Sequence, residues 1–513
     1  MLHNGIGRTR HSEDKTSILQ HKAQEHPAMA ASANAAANVT AGNGEPEARR
    51  DHVIVFPFMA KGHTLPLLHF ATALSVHHKS LRVTMVTTPA NLAFARGSLP
   101  ESVHLVELPF PSLPPLPAGV ESTDALPCMS LYPTFLRATA LLREPFAEFM
   151  ASLPSPPLVL VSDFFLGFTH GVASDAGVRR VVFHGMSCFS MAICKSLVVS
   201  PPAAVEHVGG GGAPFHVSRM PEHVTITPEE IPPTVANFSD PDNPIARFMI
   251  ENVESTDVRS WGVLVNSFAA VDGDYVASFE SFYQPGARAW MVGPLFLAAG
   301  DTPERDEEND PEGCLPWLDE RAAWPGSVVY VSFGTQAHVA DEQLDELARG
   351  LVQSGRPFLW AVRSNTWSPP VDVGPDQGRI VRGWVPQRGV LAHEAVGGFV
   401  SHCGWNSVME SLAAGKPVLA WPMMAEQALN AKHVVDVIGA GIKVNYAVGS
   451  GAVVGRAEVE EKVRRVMDAG REEGRRMRRQ AAWAQQAARS AVSDGGTSRV
   501  ALQKLLGDLL ESC

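Results

Sequence analysis

Long apolar runs, closely spaced cysteines and an excess of basic residues are all missing from this 513-residue sequence. No run of about 18 or more apolar residues occurs, so we predict no membrane anchor. The six cysteines show no C-x-x-C spacing, which argues against a zinc site or a disulfide framework and favours a reducing compartment. The net charge of −12 disfavours nucleic acid and anionic membranes as partners. We therefore expect a soluble, cytoplasmic protein.

Large apolar residues are also scarce in the N-terminal segment, residues 1–50. Such a segment cannot bury enough surface to order itself, so we predict a disordered extension. It lacks the continuous apolar stretch of a secretory signal, and its acidic residues are untypical of a transit peptide. The rest of the chain has a globular composition, 45% hydrophobic and 19% charged over the whole sequence, and is too long for one ordinary domain.

Short apolar runs alternate with helical stretches in two series. The first contains "VIVFPF", "RVTMVTT", "LVLVSD" and "RRVVFHG", and the second contains "SVVYVSFGT", "FLWAVR", "GGFVSH" and "PVLAWP". Continuous apolar runs of this length are typical of parallel strands that are covered on both faces. The pattern predicts two α/β domains, each built on a parallel sheet.

The domain boundaries follow from changes in composition. The stretch "LAAGDTPERDEENDPEGC" is acidic and rich in glycine and proline, which is typical of a linker. We place the first domain at 51–295, the linker at 296–315, the second domain at 316–495 and a C-terminal helix at 496–513. Residues 200–245, which contain "GGGGAP", are predicted to form a long surface excursion of the first domain.

The stretch "SHCGWNSVMESLAAGKP", residues 401–417, predicts a strand end, a glycine turn and a helix. Ser407 and Glu410 have capping-box spacing, which places the start of the helix near Asn406. A helix N-terminus presents unpaired N–H groups and a partial positive charge, so phosphate is its natural ligand. On these residues alone, a self-capped helix beside a core histidine is an equal alternative.

The wider segment from Trp384 to Gln427 resembles the signature of plant secondary-product glycosyltransferases along all of its 44 residues: "WVPQRGVLAHEAVGGFVSHCGWNSVMESLAAGKPVLAWPMMAEQ". The resemblance extends over about residues 52–510. It implies transfer of sugar from a UDP-sugar to a small molecule. It also implies the GT-B fold, in which two Rossmann-like domains face each other across a cleft. We expect a monomer whose only co-substrate besides the acceptor is the UDP-sugar, with no metal and no cofactor.

The resemblance implies a donor site of ten residues whose shared role is contact with the UDP-sugar. They are Trp384, Gln387 and Glu410 for the uridine, Thr335, His402, Asn406 and Ser407 for the diphosphate, and Trp405, Glu426 and Gln427 for the sugar. The residue types suit these roles, because an aromatic face stacks on a base and polar side chains bind phosphate and hydroxyls. Gln427 and Trp405 resemble glucose-using members, so UDP-glucose is the expected donor. Many members carry Asp where this chain has Glu426, which leaves the choice of sugar less defined.

The first domain offers a candidate catalytic pair. In "HVIVFPFMAKGHTLP", His63 follows a strand and a Lys-Gly turn, and in "LVLVSDFF", Asp163 ends another strand. Ligands of open α/β sheets bind outside these carboxyl ends. A histidine held by a carboxylate suits a general base near neutral pH, although 19 histidines leave room for chance placement. The resemblance implies that His63 is the base of an inverting displacement and that Asp163 is its partner.

Three other functions are weaker interpretations. A metal-dependent transferase would use a D-x-D motif, but Asp272-Gly273-Asp274 and Asp240-Pro241-Asp242 are better explained as structural, near a helix start and in a proline-rich loop. A nicotinamide dehydrogenase would carry a glycine fingerprint that "FPFMAKGHT" lacks. A non-catalytic UDP-sugar sensor would keep residues 384–427 and lose the base, whereas this chain retains His63.

The acceptor is the least defined part of the prediction. Its pocket would come mainly from loops of the first domain, including residues 186–189 and 200–245, whose apolar residues and prolines favour a flat hydrophobic molecule. Flavonoids, other phenolics, terpenoids and hormones all fit. In some relatives a hydroxyl residue near Gly185 helps to hold the sugar, and this chain lacks it. We also expect the C-terminal helix to return to the first domain.

Overall fold

The computed structural model describes residues 51–201, 212–238, 240, 242–300, 310–445, 448 and 451–511. The predicted extension at 1–50 and the middle of the predicted linker, 301–309, lie outside the described residues, as does part of the 200–245 excursion.

The first half of the chain builds a seven-stranded sheet. In chain order its strands and those of a small ribbon are β1 (His52–Phe56), β2 (Arg82–Thr87), β3 (Val103–Glu107), β4 (Val159–Asp163), β5 (Arg179–His184), β6 (Phe215–His216), β7 (Thr225–Ile226), β8 (Gly262–Val265) and β9 (Ala289–Met291). The sheet order is β3-β2-β1-β4-β5-β8-β9 with every pair parallel, and β6 and β7 form a separate antiparallel ribbon.

Twelve described α-helices belong to this half. They are α1 (Lys61–His77), α2 (Pro89–Ser98), α3 (Tyr132–Ala140), α4 (Arg143–Ser152), α5 (Phe168–Asp175), α6 (Cys188–Val199), α7 (Pro233–Ala236), α8 (Pro244–Phe248), α9 (Ser255–Asp257), α10 (Ala269–Asp272), α11 (Val276–Glu280) and α12 (Leu295–Ala298).

The second half builds a six-stranded, wholly parallel sheet in the order β12-β11-β10-β13-β14-β15. Its strands are β10 (Val328–Ser332), β11 (Phe358–Ala361), β12 (Gly378–Val381), β13 (Val396–Ser401), β14 (Val418–Ala420) and β15 (Gly441–Lys443). Its helices are α13 (Cys314–Asp319), α14 (Asp341–Ser354), α15 (Gln387–Ala392), α16 (Trp405–Ala413), α17 (Gln427–Lys432), α18 (Arg456–Met467), α19 (Glu472–Val492) and α20 (Thr497–Leu510).

The prediction of two parallel-sheet α/β domains is confirmed by these sheets. Every residue of β10 and of β13 is buried, because helices cover both faces of the sheet, and this burial requires the continuous apolar runs seen in the sequence. Leucines of the last helix, α20, join the core of the first sheet. The exact domain boundaries stay a prediction.

The strand order places the site. In the first sheet β1 lies between β2 and β4, and in the second sheet β10 lies between β11 and β13. In each sheet, therefore, the strand order changes direction beside the first strand. A crevice opens at such a reversal, outside the carboxyl ends of the strands. The segments that follow β1, β4, β10 and β13 carry most of the candidate site residues. Among the described residues, no helix is both long enough and apolar enough to cross a membrane.

Candidate active site

His63 and Asp163 are in direct contact. His63 lies in the first turn of α1 and Asp163 is the last residue of β4, and His63 Nδ1 lies 2.8 Å from Asp163 Oδ2. The carboxylate is fully buried, and its other oxygen accepts a hydrogen bond of 3.0 Å from the backbone N–H of Phe165. Because a carboxylate can only accept here, Nδ1 carries the proton and Nε2 is left to take one. The pair has the geometry of a general base with its orienting partner.

Charges around His63 favour its protonated form. Burial lowers the pKa of His63, but the charge and hydrogen bond of Asp163 and the charge of Glu426 outweigh it, so the pKa is raised above its ordinary value of 6.5. A raised pKa strengthens the imidazole as a proton acceptor. The charge effect of Glu426 also indicates that the candidate catalytic pair of the first sheet lies near the predicted sugar site of the second.

Aromatic side chains surround the imidazole. The rings of Phe58, Phe164 and Phe165 have centroids 5.5, 5.9 and 5.5 Å from that of His63. Phe58 and Phe165 stack on each other at 4.7 Å. Nearby, Tyr132 has its pKa raised by burial and by the charge of Asp163, so its hydroxyl stays protonated. Phe58 and Phe164 are buried and Phe165 is partly exposed, so Phe165 is the ring of the three that can contact a flat apolar molecule.

The entrance of α16 differs from the predicted capping box. The helix begins at Trp405 after Gly404, and no side chain caps it. Instead, the amide nitrogen of Gln387 donates to Ser407 Oγ at 3.0 Å and to Glu410 Oε2 at 2.6 Å. The capping-box prediction was wrong because Ser407 is the third residue of the helix and not its N-cap, and both side chains have a partner on α15 that sequence spacing does not reveal. Three predicted donor-site residues are thereby brought into one hydrogen-bonded group.

His402 lies against the backbone at the end of β13. A Cβ atom added to Gly334, whose φ is +73°, or to Gly404 would lie 2.6 Å from its Nε2 atom, so a side chain at either position would force the ring to shift. Burial lowers the pKa of His402 to about 4, and the imidazole is neutral at physiological pH. Thr335 directly follows Gly334 and is partly exposed. A neutral histidine can donate one hydrogen bond to an anion without adding charge.

Trp384 presents an exposed ring. The residue is 45% exposed, and the ammonium of Lys61 lies 5.3 Å above its ring centroid. The same ammonium lies 3.5 Å from Asp124. An exposed indole face at the edge of a crevice is free to stack on a planar base. Lys61 belongs to the first turn of α1, so this contact also joins the two sheets.

Asn406 crosses from one half of the chain to the other. Its side-chain amide donates to the carbonyl of Gly62 at 2.6 Å, directly before the candidate base. Its oxygen lies 3.5 Å from the amide nitrogen of Asn266, at the end of β8. The ring of Trp405 is buried, and its Nε1 donates to the carbonyl of Asn266 at 2.9 Å. Trp405 can therefore face the crevice only through its backbone.

Glu426 and Gln427 stand at the start of α17. One Glu426 oxygen accepts from the amide of Asn430 at 3.0 Å, and burial raises the pKa of the Glu426 carboxyl, an effect that Asn430 and His63 oppose. Gln427 is buried, and its Oε1 accepts from the backbone N–H groups of Met423 and Met424 at 2.9 and 3.0 Å. Gln427 thus shapes the loop before the helix, and only its NH₂ group remains for a ligand.

The two D-x-D motifs occupy structural positions. The fully buried Asp272 ends α10, and its carboxylate accepts from the backbone N–H groups of Cys188 and Phe189, which caps α6. Asp240 accepts from the backbone N–H of Asp242 at 2.9 Å within its loop. Within the described residues, no group of three His, Cys, Asp or Glu side chains is placed to hold a metal ion.

Three residues that the sequence analysis did not select also line or brace the site: Lys61, Asn266 and Asn430. Asn266 had a signal that could have identified it, since it is a polar residue directly after the buried strand β8. Lys61 and Asn430 had no such signal, because Lys61 begins α1, Asn430 lies within α17, and the partners of both come from distant segments.

Comparisons with known proteins give matches to both halves of the chain. The family model described as UDP-glucoronosyl and UDP-glucosyl transferase matches residues 303–469, and the glycosyltransferase N-terminal domain model matches residues 51–297. Among curated proteins, the chain is 34% identical to anthocyanin 3'-O-beta-glucosyltransferase of Gentiana triflora and 33% identical to scopoletin glucosyltransferase of Nicotiana tabacum. Each match covers 89% of this chain and 98% of the relative.

Solved structures give the same result. UGT73P12 of Glycyrrhiza uralensis, complexed with glycyrrhetinic acid 3-O-monoglucuronide, is 28% identical, with a TM-score of 0.77 over 90% of this chain and 96% of that one. UGT2 of Phytolacca americana, complexed with UDP-2fluoro-glucose and pterostilbene, is 25% identical, with a TM-score of 0.74 over 90% of this chain and 100% of that one. The expected GT-B architecture is confirmed.

Proposed function

This chain is a glycosyltransferase that belongs to the family of plant UDP-glycosyltransferases, and we propose that it transfers glucose from UDP-glucose to a hydroxyl group of a small hydrophobic acceptor. The observation that carries the proposal is the position of the His63–Asp163 pair. The carbonyl of Gly62, the residue before the base, accepts from Asn406 in the first turn of α16, so the base stands beside the end of the helix that suits a diphosphate.

The chemical step is an inverting displacement. Nε2 of His63 takes the proton of the acceptor hydroxyl, and the oxygen forms a bond to the anomeric carbon while the bond from that carbon to the UDP oxygen breaks. Asp163 holds the ring in the correct tautomer and stabilises the imidazolium that forms. Attack from the face opposite UDP converts the α-linked donor into a β-linked product.

The departing diphosphate gains negative charge. The first turn of α16 presents backbone N–H groups and a partial positive charge, and the neutral His402 together with Asn406, Ser407 and Thr335 supplies further donors. Trp384 stacks on the uracil, while Gln387 and Glu410 hold the uridine. In this scheme protein donors stabilise the leaving group, so it calls for no metal ion and no cofactor.

Sugar selection falls to Glu426, Gln427 and the backbone of Trp405. A carboxylate accepts hydrogen bonds from vicinal hydroxyls, and Glu426 is only partly exposed, so water competes less for its oxygens than at the open surface. The partly exposed ring of Phe165 beside His63 favours a phenolic acceptor. Names of similar proteins support this class, since they include transferases that act on anthocyanin and scopoletin.

The proposal includes a monomeric enzyme of the cytoplasm. Five cysteines of the described chain are free thiols, and four of them are buried, which suits a reducing compartment. Light scattering on the purified protein tests the oligomeric state. Localisation of a fluorescent fusion tests the compartment.

The decisive experiment measures UDP release from UDP-glucose with a panel of phenolic and terpenoid acceptors. We compare the wild type with His63→Gln, and with His77→Gln on the exposed end of the same helix as a control. Acceptor-dependent release should fall by on the order of 10²- to 10⁴-fold in His63→Gln and persist in the control. Donor binding without turnover on any acceptor would favour the sensor function, and turnover unaffected by His63→Gln would exclude His63 as the base. NMR of the product checks the β linkage.

A further inference from the structure

Asn430 is a fully buried amide that joins three segments of the chain. Its oxygen accepts from Ser190 Oγ at 2.7 Å, and its nitrogen donates to the carbonyl of Cys403 at 2.9 Å and to Glu426 Oε1 at 3.0 Å. Both of its N–H donors are therefore used. Burying an amide is unfavourable unless its hydrogen bonds are made, and packing alone would be served by an apolar side chain such as that of the adjacent Leu429.

The two donor bonds reach two strained turns. Cys403 has a φ of +63° and separates His402 from the start of α16, while Ala425 has a φ of +50° and directly precedes Glu426. A non-glycine residue in the left-handed region persists only where its surroundings hold it there. One side chain thus bridges the turn that carries the diphosphate donors and the turn that carries the sugar carboxylate.

The acceptor bond reaches the other half of the chain. Ser190 lies in the first turn of α6, beside the residues 186–189 predicted for the acceptor pocket. Three positions beyond Asn430, the ring of His433 lies between those of Phe189 and Trp405, with centroid distances of 4.7 and 5.6 Å. The segment around Asn430 is therefore in contact with both the donor side and the acceptor side of the crevice.

We infer that Asn430 is a positioning residue for the donor sugar, because its amide holds the Glu426 carboxylate at a fixed position relative to the turn at Cys403. The hydrogen bond from Ser190 connects this arrangement to the acceptor side. The inference rests on the proposed function and specifies how its sugar site is held. Without Asn430, Glu426 loses a hydrogen bond that favours its ionised form, and the turn at Cys403 loses its support. Binding of the sugar should suffer more than binding of the acceptor, because two of the three hydrogen bonds of Asn430 lie on the donor side.

The test compares KM for donor and acceptor in Asn430→Ala, Glu426→Gln and the double variant. Loss of a hydrogen bond to a charged group weakens binding by about tenfold, so Asn430→Ala should raise the KM for UDP-glucose by about 10-fold. The KM for the acceptor should change by less than about 2-fold. In the Glu426→Gln background the same substitution should cost less than about 3-fold. If the losses from Asn430→Ala and Glu426→Gln add in the double variant, or if Asn430→Ala changes the donor KM and the acceptor KM equally, Asn430 has only a structural role.

Two further variants guard against misfolding of Asn430→Ala. Asn430→Asp keeps the size and the oxygen facing Ser190 but sets a carboxylate against Glu426, so its donor KM should worsen, relative to the wild type, as pH rises and both groups ionise. A flat pH dependence would contradict the inference. Ser190→Ala should lower kcat by about 3-fold relative to the control Ser196→Ala, which removes a buried hydroxyl of α6 that donates to the carbonyl of Ser218.

The outcomes separate the two proposals. A wild type with no acceptor-dependent UDP release defeats the proposed function. An active wild type whose Asn430 variants behave like Ser196→Ala leaves that function standing and overturns the positioning role alone.

Discussion

The side-chain amide of Asn406 donates a 2.6 Å hydrogen bond to the backbone carbonyl of Gly62, although 344 positions separate them in the chain. Asn406 stands in the first turn of α16, above the second sheet, and Gly62 precedes His63 above the first. The contact sets the candidate base against the helix end that suits the leaving diphosphate. Proximity of this kind lowers the barrier because the reacting groups need not be brought together from solution.

Replacing Asp163 by Asn should change both the rate and the pH dependence. His63 acts as a base only when it is unprotonated, so activity falls as pH drops through its pKa. Asp163 raises the pKa of His63 and burial lowers it, so the substitution should move the acid limb of kcat/KM to lower pH. The plateau should fall by on the order of 10²- to 10⁴-fold, because the tautomer is no longer held. Asp175→Asn, on the exposed part of α5, serves as the control, and an unshifted limb would contradict the pairing.

Replacing Trp384 by Ala should weaken donor binding. Stacking of a base on an aromatic side chain is worth about 1–3 kcal/mol, so the KM for UDP-glucose should rise by about 5- to 150-fold with little change in the acceptor KM. Trp483→Ala is a matched control, because that tryptophan of α19 is equally exposed, at 45%. Equal KM values in the two variants would remove Trp384 from the uracil site.

His402 should make the fold sensitive to acid. Its pKa is about 4 in the folded chain and about 6.5 when unfolded, so between these values the unfolded state binds one proton more. The folded protein therefore loses at most about 3 kcal/mol of stability from this group as pH falls from 6.5 to 4. Below pH 4 the group causes no further loss. Urea unfolding of His402→Gln should show a shallower loss over this window than the wild type, while the surface variant His77→Gln should not. Identical slopes would mean that His402 is already charged in the folded protein.

Gly334 and Gly355 allow backbone strain to be separated from a steric effect. Both have a left-handed backbone, with φ of +73° and +67°, so alanine at either should cost about 1–2 kcal/mol of stability. Only at Gly334 does the new Cβ collide with His402, whereas nothing lies within 4 Å at Gly355. Calorimetry should show loss of UDP binding in Gly334→Ala and retention in Gly355→Ala. Equal binding in both would show that the His402 ring moves aside without consequence.

Local patterns predicted the elements better than their partners. The strand β13 and the helix α16 were both expected from "GGFVSHCGWNSVMESLAA". A buried parallel strand and a glycine turn each give a recognisable pattern in adjacent residues. The spacing of Ser407 and Glu410 nevertheless led to a capping box that does not form. Gln387 takes both side chains, and hydrogen bonds between distant segments depend on packing that no local pattern encodes.

The sequence by itself determined the two parallel sheets and the family, because continuous apolar strands and a 44-residue motif are properties of adjacent residues. It also placed His63 and Asp163 at the carboxyl ends of strands. Only the tertiary structure decided that these two touch, that Asn406 reaches Gly62 and that Asn430 joins three segments. Such contacts arise where separate strand ends and helix starts converge, and their distances are set by how the two halves of the chain pack.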